Sequence, residues 1–437
     1  MEASYRQAAI AEWRVGWPLV LSAFAGSFLA SIYAYSVGVL IAPLEAEFGW
    51  SRAQITSGFL VVSCFSVVLS IFMGMVIDRF GPRRLALIGV LVYSAALALL
   101  SQATGSLWLW WALWALIATG IMFIKPTVWV TAISSQFDTS RGVALAVVLS
   151  ASGFVSLAVP MITLLLADNL GWRMAYAVLG IGAGAIVFPL VLFFFHSAKD
   201  GARKTKRRSG TAPAPANPAV LTGLTTREGL TSLNFWLLAG AGLSASLVSI
   251  ALSLNMVPIL TTREFDRVAA AGIAGVIGMA QIAGRLAGGY LLDRFNPRLV
   301  AAISVVLPIG TSLLLLGAPG SYPMALAAVV LLGFAAGAEM DAIAYLSGKC
   351  FGLRSFATLF GAFTGIITLG FGVGPVVASY VYDVTGSYQL VLIGVLPLSL
   401  VSAILFLLIR GFPDFAAQTP ETVLEEEAAE LKPAVAT

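Results

Sequence analysis

The chain has 437 residues, of which 59% are hydrophobic and only 11% are charged, whereas a soluble domain carries about 25% charged residues. The apolar residues fall in blocks of about 20 to 27, the length that an α-helix needs to cross about 30 Å of hydrocarbon. The alternating segments of about 10 residues that are typical of transmembrane β-strands are not seen. The composition therefore excludes a soluble protein and predicts an all-α polytopic membrane protein.

The net charge of +4 does not indicate a nucleic-acid-binding protein, because the basic residues lie in loops between apolar blocks, where they set membrane topology. The two cysteines, Cys64 and Cys350, lie within or at the end of apolar blocks. Their positions predict no disulfide, and no metal-ligand spacing is present. The sequence also has no nucleophile elbow and no cofactor loop. We therefore expect no enzyme activity, no cofactor and no metal.

The apolar blocks predict twelve transmembrane helices, called spans 1 to 12. A basic segment follows span 6 and leads into the Pro- and Ala-rich stretch from Thr211 to Pro218, which predicts a flexible linker. The chain then divides into a six-helix half at 1–195, a cytoplasmic linker at 196–231, a second six-helix half at 232–410 and an acidic, disordered tail at 411–437. The spans are 16–42, 53–77, 85–103, 107–133, 142–167, 172–195, 233–260, 268–292, 299–318, 322–348, 355–381 and 387–410.

Lys and Arg residues are divided unequally between the two sides of the predicted helices. Of the 25 in the chain, 19 lie on the side of the termini and the linker, and four lie on the other side: Arg52, Arg173, Arg263 and Arg267. Because basic loops stay on the cytoplasmic side, we expect both termini and the linker to be cytoplasmic, in a bacterial-type inner membrane.

The two halves are related by a constant offset along the chain. Parallel six-helix repeats about an axis along the membrane normal are an architecture of secondary transporters, with the substrate site between the halves at mid-depth. Three pairs of residues in equivalent places at span ends are each 215 positions apart: Asp78 and Asp293, Arg52 and Arg267, and Gly171 and Gly386.

The loop from Gly74 to Arg84 resembles the signature loop of the major facilitator superfamily, which has Gly, Asp-Arg, Gly and paired basic residues between spans 2 and 3. A weaker copy lies at 289–298, and the resemblance covers about residues 15–410. It implies twelve helices in two pseudo-symmetric halves. It also implies that charged side chains of these loops hold cytoplasmic helix ends together in the outward-open state, although they could simply anchor the topology. These gating residues are Asp78, Arg79 and Arg83, with Asp293 and Arg294 in the copy.

Four further segments resemble the monocarboxylate porter and oxalate/formate antiporter branch of this superfamily. The fourth is similar to the segment in which the branch keeps its substrate-binding arginine, which is Arg285 here. Two features depart from the branch: span 1 lacks its lysine, and Gln281 stands where an acidic residue is often found. The segments are Phe48 to Arg52, Arg141 to Ala146, Gly171 to Arg173 and Gly284 to Gly288.

Four ionisable residues lie well inside predicted spans: Lys125, Arg285, Glu339 and Asp341. Each costs at least about 2.5 to 3.5 kcal/mol at mid-membrane unless it is paired or hydrated. They are therefore candidate functional residues, and the alternative is that they pair with one another and hold helices together.

Lys125 and Trp129 lie four residues apart in span 4 and share a helix face. Pro126 bends this helix and exposes carbonyl groups. A cation beside an aromatic wall suits an organic anion, in particular an aromatic acid. Lys125 could also lose its proton when desolvated and couple to protons itself.

Arg285 presents a planar guanidinium fork that fits a carboxylate with two hydrogen bonds. Gln281, one turn earlier, is placed to support it. Gly284 and Gly288 allow close approach of a neighbouring helix, for binding or for packing alone. The sequence therefore predicts an anion site at Arg285.

The offset of 215 maps Lys125 onto position 340, between Glu339 and Asp341. Residues two apart on a helix point about 200° away from each other, so the two acids cannot face the same point. We expect Asp341, which shares a face with Tyr345, to face the cavity. Either acid is a candidate for proton coupling, in which a substrate anion and a carboxylate compete for the same cations.

Polar residues on other spans are further candidates for substrate contact. Span 1 has Tyr33 and Tyr35, of which one can face the cavity, and we choose Tyr33. Span 7 has Asn255, and span 11 has Thr364 and Thr368 on one face. The alternative is that each of these residues bridges two helices by a hydrogen bond.

Together these features predict a secondary transporter of a small organic anion, a monocarboxylate or an aromatic carboxylate, driven by proton symport through alternating access. Its partners are then the anion, protons and the lipid bilayer, and nothing in the fold requires more than a monomer. One alternative is an organic-anion exchanger. A second is a drug/proton antiporter, although the Gly-Pro motif typical of span 5 is missing. A third is a transporter-like receptor, which normally carries an added signalling domain.

Overall fold

The computed structural model describes residues 2–125, 128–129, 132–133, 137, 140–195, 223–317, 319–352 and 356–411. The described side chains exclude those of 2–9, 70–75, 77–79, 141–142, 293 and 356–357.

The first half of the described chain is built of five long helices and one short one, α5, numbered here in chain order. They are α1 (Glu2–Phe48), α2 (Arg52–Phe80), α3 (Pro82–Leu99), α4 (Leu107–Phe123), α5 (Arg141–Leu149) and α6 (Ala151–Phe194).

The second half begins with one short helix and continues with six long ones. They are α7 (Thr226–Thr231), α8 (Leu233–Thr261), α9 (Arg267–Arg294), α10 (Pro297–Gly317), α11 (Tyr322–Phe351), α12 (Phe356–Thr385) and α13 (Gln389–Leu408).

These helices confirm the predicted polytopic all-α fold. Ten described helical stretches are long and apolar enough to cross a membrane, and Leu107–Phe123 is a shorter apolar helix. One of the ten, Val143–Phe194, holds two predicted spans. The two are separated at Gly171 of α6, whose φ is 81°. Its equivalent, Gly386, has a φ of 68° and separates α12 from α13. Only glycine adopts this conformation readily, so the same break recurs at both positions of the repeat.

The helix ends define two faces of the molecule. The Arg52 face holds the turns before Arg52, Arg267 and Gln389, and the opposite Gly81 face holds the turns before Pro82 and Pro297. Proline at the first helical position needs no amide partner and starts a helix well.

The described residues form one large apolar core in the first half and two in the second. The core of the first half is rich in tryptophan, and Trp110, Trp114 and Trp129 are fully buried in it. The halves meet where α2 packs on α12, α6 on α9 and α1 on α8. The helix backbones approach closely at these contacts. A Cβ at Gly278 of α9, for example, would overlap the carbonyl oxygen of Gly153 of α6. The junction between the halves is therefore narrow and tightly packed.

The end of the predicted linker is structured, which differs from the flexible segment expected there. The Leu224 amide donates to the Phe351 carbonyl at 2.9 Å, and Thr225 and Glu228 form a capping box at the start of α7. A capping box satisfies two helix-end donors reciprocally. Residues 196–222 of the linker and 412–437 of the tail lie outside the described residues.

Candidate functional site

The position of Arg285 follows from the close contact of α9 with α11. A Cβ at Gly337 of α11 would overlap the carbonyl oxygen of Gln281, and a Cβ at Gly284 of α9 would overlap that of Phe334. Small residues let two helix backbones approach in this way. Arg285, next to Gly284, is therefore held against α11.

Arg285 lies between the two halves. Its Nε is 3.7 Å from Oδ1 of Asp341 on α11, and its Nη1 donates to the carbonyl oxygen of Leu149, in the first half, at 3.3 Å. The side chains of Arg285 and Asp341 are 22% and 32% exposed. The guanidinium is thus a partly solvated cation at the junction.

The Leu149 carbonyl is available because predicted span 5 is interrupted at Ser150. Helix α5 ends at Leu149 and α6 begins at Ala151. The Gly153 amide donates to Ser150, three residues back, instead of to Leu149, and the Ser152 hydroxyl donates to the Leu149 carbonyl at 3.1 Å. Sequence reasoning missed this break and treated 142–167 as one helix. The run Ser-Ala-Ser-Gly was the available signal, since kinks occur at Gly/Ser pairs.

A pocket of ≈ 320 Å³, partly open to solvent, lies beside the guanidinium. Leu149 and Ser152 line it from one half, and Gln281 and Arg285 line it from the other. The Gln281 Oε1 atom is buried and has no hydrogen-bond partner among the described residues. The predicted pair of Arg285 and Gln281 is therefore brought together at one pocket.

The two acids of α11 point in different directions, as their spacing requires. Asp341 faces Arg285, whereas Glu339 is 5% exposed and accepts a hydrogen bond from the Ser249 hydroxyl of α8 at 2.9 Å. The more exposed acid is Asp341, which is the one expected to face the cavity.

Tyr33 and Tyr35 lie on different sides of α1. Tyr33 packs inside the first half, with ring centroids 5.8 Å from Phe59 and 5.9 Å from Trp114. Tyr35 and Ser156 line a second, narrow pocket between the halves. The placement favours Tyr35 over the predicted Tyr33 as the tyrosine that faces the junction. Residues two apart on a helix point in nearly opposite directions, so only one of the two can face it.

Lys125 is partly buried and lies just after α4, which ends at Phe123, so the prediction of one continuous helix over 107–133 with Lys125 and Trp129 on a shared face was wrong. Its ammonium group makes no ion pair with any residue that the structure describes. Trp129 is fully buried against Phe195, at 5.0 Å between ring centroids, and its Nε1 donates to the Ile124 carbonyl at 2.8 Å. Trp129 therefore packs behind the turn and offers no open aromatic wall in this conformation. Pro126 lies outside the described residues.

Asn255 is fully buried and bridges helices, which was the alternative to its predicted substrate role. Its Oδ1 accepts from the Ser379 hydroxyl at 3.3 Å and from the Tyr388 hydroxyl at 3.4 Å, and its Nδ2 donates to Ala251 at 3.0 Å. The structure places these contacts near the Arg52 face, among α8, α12 and α13.

The sequence model of the Major Facilitator Superfamily matches two overlapping stretches, residues 23–365 and 238–435. The chain belongs to the major facilitator superfamily. A superfamily member of Escherichia coli, the uncharacterized MFS-type transporter YhjX, is 24% identical over 371 residues, 83% of this chain and 86% of that one.

Two mammalian members of the superfamily are also similar. Rat monocarboxylate transporter 12 is 22% identical over 394 residues, 85% of this chain and 81% of that one. Human monocarboxylate transporter 11 is 26% identical over 393 residues, 85% of this chain and 78% of that one. A bacterial homologue of the human lysosomal transporter Spinster, crystallised inward-facing and unoccupied, shares the fold: its TM-score is 0.66 at 17% identity, over 90% of this chain and 94% of that one.

The superfamily loop at Gly74 to Arg84 is described only in part. Arg83 Nη2 donates to the carbonyl oxygen of Leu192, near the end of α6, at 2.7 Å. In the second copy, the Arg294 guanidinium lies 4.5 Å from the centroid of the Tyr290 ring. The side chains of Asp78, Arg79 and Asp293 lie outside the described residues, so gating by these loops stays a prediction.

Proposed function

We propose that this superfamily member carries a small organic anion, a monocarboxylate or an aromatic carboxylate, together with a proton by alternating access. The observation that carries the proposal is the Arg285 guanidinium, which lies at the junction of the halves and contacts both of them. Carriers built of parallel repeats bind substrate at this junction.

The contacts of Arg285 leave room for a carboxylate. Its Nε has no hydrogen-bond partner among the described residues, and 3.7 Å to Asp341 is too long for a hydrogen bond. Its contact with Leu149 is to a neutral carbonyl, a weaker acceptor than an anion. A substrate carboxylate would replace one long contact and one weak contact with a bidentate pair.

Charge balance supports coupling to a proton. Arg285 and Asp341 together are close to neutral, so an anion that enters their pocket adds a negative charge to a partly buried site. Isolated charges are costly there. A proton taken up by Asp341 cancels this charge and releases the guanidinium for the substrate. Glu339, held by Ser249, is the other candidate proton carrier.

Lys125 is proposed as a second cation for the substrate, contributed by the first half. It has no ion-pair partner in the described part of the chain. The names of the relatives, monocarboxylate transporters 11 and 12, are consistent with the substrate class. We also propose that the Gly81 face is cytoplasmic, from the excess of basic residues on that side.

The test is uptake into proteoliposomes of the purified protein, with labelled acetate, lactate and benzoate as probes. An inward proton gradient is expected to drive accumulation of at least one of them. Arg285→Ala is expected to lower that uptake by at least about tenfold, because it removes about 1.4 kcal/mol or more of charge-assisted binding. Arg285→Lys retains the charge but not the fork and is expected to be intermediate. Intact uptake by Arg285→Ala would disprove the site.

An organic-anion exchanger is the second candidate, favoured by two fixed cations, Arg285 and Lys125. An exchanger would need internal counter-substrate and would ignore the proton gradient. The same proteoliposomes, loaded with or without unlabelled anion, distinguish the two mechanisms.

A further inference from the structure

The N-terminus of α2 is capped from the opposite half. Ser51 and Gln54 form a local capping box, with the Ser51 amide donating to Oε1 of Gln54 at 3.0 Å and the Gln54 amide to the Ser51 hydroxyl at 3.3 Å. This leaves the amides of Arg52 and Ala53, which donate to the two carboxylate oxygens of Asp383 at 2.9 and 2.8 Å. A carboxylate at a helix N-terminus is favoured by charge-assisted bonds and by the helix dipole.

A second carboxylate joins the halves on the same face. Oδ1 of Asp168, in α6, is 3.2 Å from Nη1 of Arg267, at the start of α9. Asp168 and Asp383 are 215 positions apart, as are Arg52 and Arg267. The two contacts therefore involve equivalent positions, with the halves exchanged. One pseudo-two-fold operation relates them.

The two contacts differ in chemistry because the helix starts differ. Helix α9 is capped by Asp266, whose Oδ1 accepts from the amides of Val268 and Ala269 at 2.9 Å each. The equivalent residue before α2 is Ser51, whose hydroxyl accepts from the Gln54 amide. The Arg52 and Ala53 amides are left to Asp383. Since α9 is already capped within its own half, Asp168 pairs with the Arg267 side chain instead.

A polar network surrounds the first contact. The Arg52 guanidinium pairs with Glu45 at 2.9 Å, donates to the Tyr388 hydroxyl at 3.1 Å and lies 3.6 Å from the centroid of the Tyr382 ring. The Tyr388 hydroxyl in turn donates to Oδ1 of Asn255 at 3.4 Å. Helices α1 and α2 of one half are thus joined to α8, α12 and the residue that precedes α13 in the other.

We propose that Asp383 and Asp168 are the gating residues of the Arg52 face, and that both contacts must be released for this face to open. Rocking of one half on the other separates α2 from α12 and α6 from α9 at this face. Both carboxylates then lose their partners in the opposite half. This gate is distinct from the loop at Gly74 to Arg84, which lies on the Gly81 face.

The test measures opening directly. Nitroxide labels at Thr104 and Tyr322, exposed positions of the Arg52 face in different halves, report the distance between the halves by electron spin resonance. The full chain is used in nanodiscs, in a Cys64→Ser/Cys350→Ala background. The double variant Asp168→Ala/Asp383→Ala is expected to raise the ratio of long to short distances by about five- to tenfold, as expected for loss of one cap and one surface ion pair.

Two controls identify the cause of any change. Asp266→Ala removes a carboxylate of the same face that caps α9 within its own half. This variant is expected to leave the distances between the labels unchanged. Asp168→Arg alone or Arg267→Asp alone is expected to weaken closure of the Arg52 face. The two changes together exchange the charges of the ion pair and are expected to restore closure. An unchanged ratio in the double alanine variant, or an equal change in Asp266→Ala, would overturn the proposal. Because the readout needs no substrate, it is independent of the proposed anion site.

Discussion

Arg285 and Asp341 lie on neighbouring helices with Nε and Oδ1 3.7 Å apart, close enough to attract but too far for a hydrogen bond. The close approach of α9 and α11 at glycines sets this separation. The pair is therefore held in register by the backbone while each side chain remains free to take another partner. Such a weakly satisfied cation suits the proposed carrier, which would have to bind and release an anion in every cycle.

Replacement of Asp341 by Asn is expected to uncouple transport from protons. The amide mimics the protonated acid, so Arg285 stays available and exchange of labelled for unlabelled anion is retained. With an inward proton gradient, the ratio of internal to external anion concentration is expected to fall to its value without the gradient. Uptake and counterflow in the same vesicles measure both. Glu339→Gln is the matched change, and loss of accumulation in it alone would transfer the proton-carrying role to Glu339.

Tyr35→Phe and Tyr33→Phe are expected to differ in their effect on substrate affinity. Tyr35 lines the second pocket between the halves, which we expect the substrate to contact, so loss of its hydroxyl is expected to raise the KM for uptake by about three- to tenfold, the equivalent of one hydrogen bond. Tyr33 packs within the first half and is expected to leave KM within about twofold. Equal KM values for the two variants would contradict the assignment of Tyr35.

Trp129→Phe is expected to destabilise the protein. It leaves the buried Ile124 carbonyl without the indole donor 2.8 Å away, and an unsatisfied buried group costs about 1–3 kcal/mol. Thermal unfolding in detergent measures the loss. Trp108, which is 79% exposed, provides the control, and Trp108→Phe is expected to leave the melting temperature within about 1 °C. A melting temperature for Trp129→Phe as high as the control would show that the bond contributes little.

Gly337→Val is expected to disrupt the contact that positions Arg285. Its side chain would overlap the Gln281 carbonyl and approach the Arg285 amide, and overpacking of this kind costs about 1–3 kcal/mol. Both the melting temperature and uptake are expected to fall. Gly289→Ala on α9 is the control, because a Cβ there meets no atom within 4 Å. Normal stability of Gly337→Val would mean that α9 and α11 separate easily.

The sequence was sufficient for the polytopic helical fold and for the repeat, although not for the helix ends within spans 4 and 5. The length of the apolar blocks predicted twelve spans, because the hydrocarbon thickness leaves little choice. Gly171 and Gly386 then broke the chain at equivalent places, as their offset indicated. Such features depend on local chemistry alone, so they can be read without knowledge of the neighbours.

The site was predicted less completely because it depends on helix phase and on partners. Spacing showed that Glu339 and Asp341 diverge, but only the packing of α9 on α11 showed which of them meets Arg285. The choice between Tyr33 and Tyr35 had the same difficulty. The break after Leu149 was hidden because small polar residues also serve ordinary helix packing.

The gate residues illustrate a different limit. Asp168 and Asp383 obey the same offset as Arg52 and Arg267, so their equivalence was present in the sequence. Their contacts cross between the halves, however, and no local pattern reveals which helix start a distant carboxylate will cap.

The docking of Leu224 on Phe351 fixes where the covalent tether between the halves ends. Residues from Gly223 onward belong mechanically to the second half, because α7 packs on α8 and α12. Any relative movement of the halves is therefore expected to carry Gly223 and the residues after it along with the second half. Insertion of a few Gly-Ser units before this point adds only a small closure entropy and is expected to leave function intact. The same insertion between Leu224 and Ser232 would pull α7 out of its cap and misplace the start of α8.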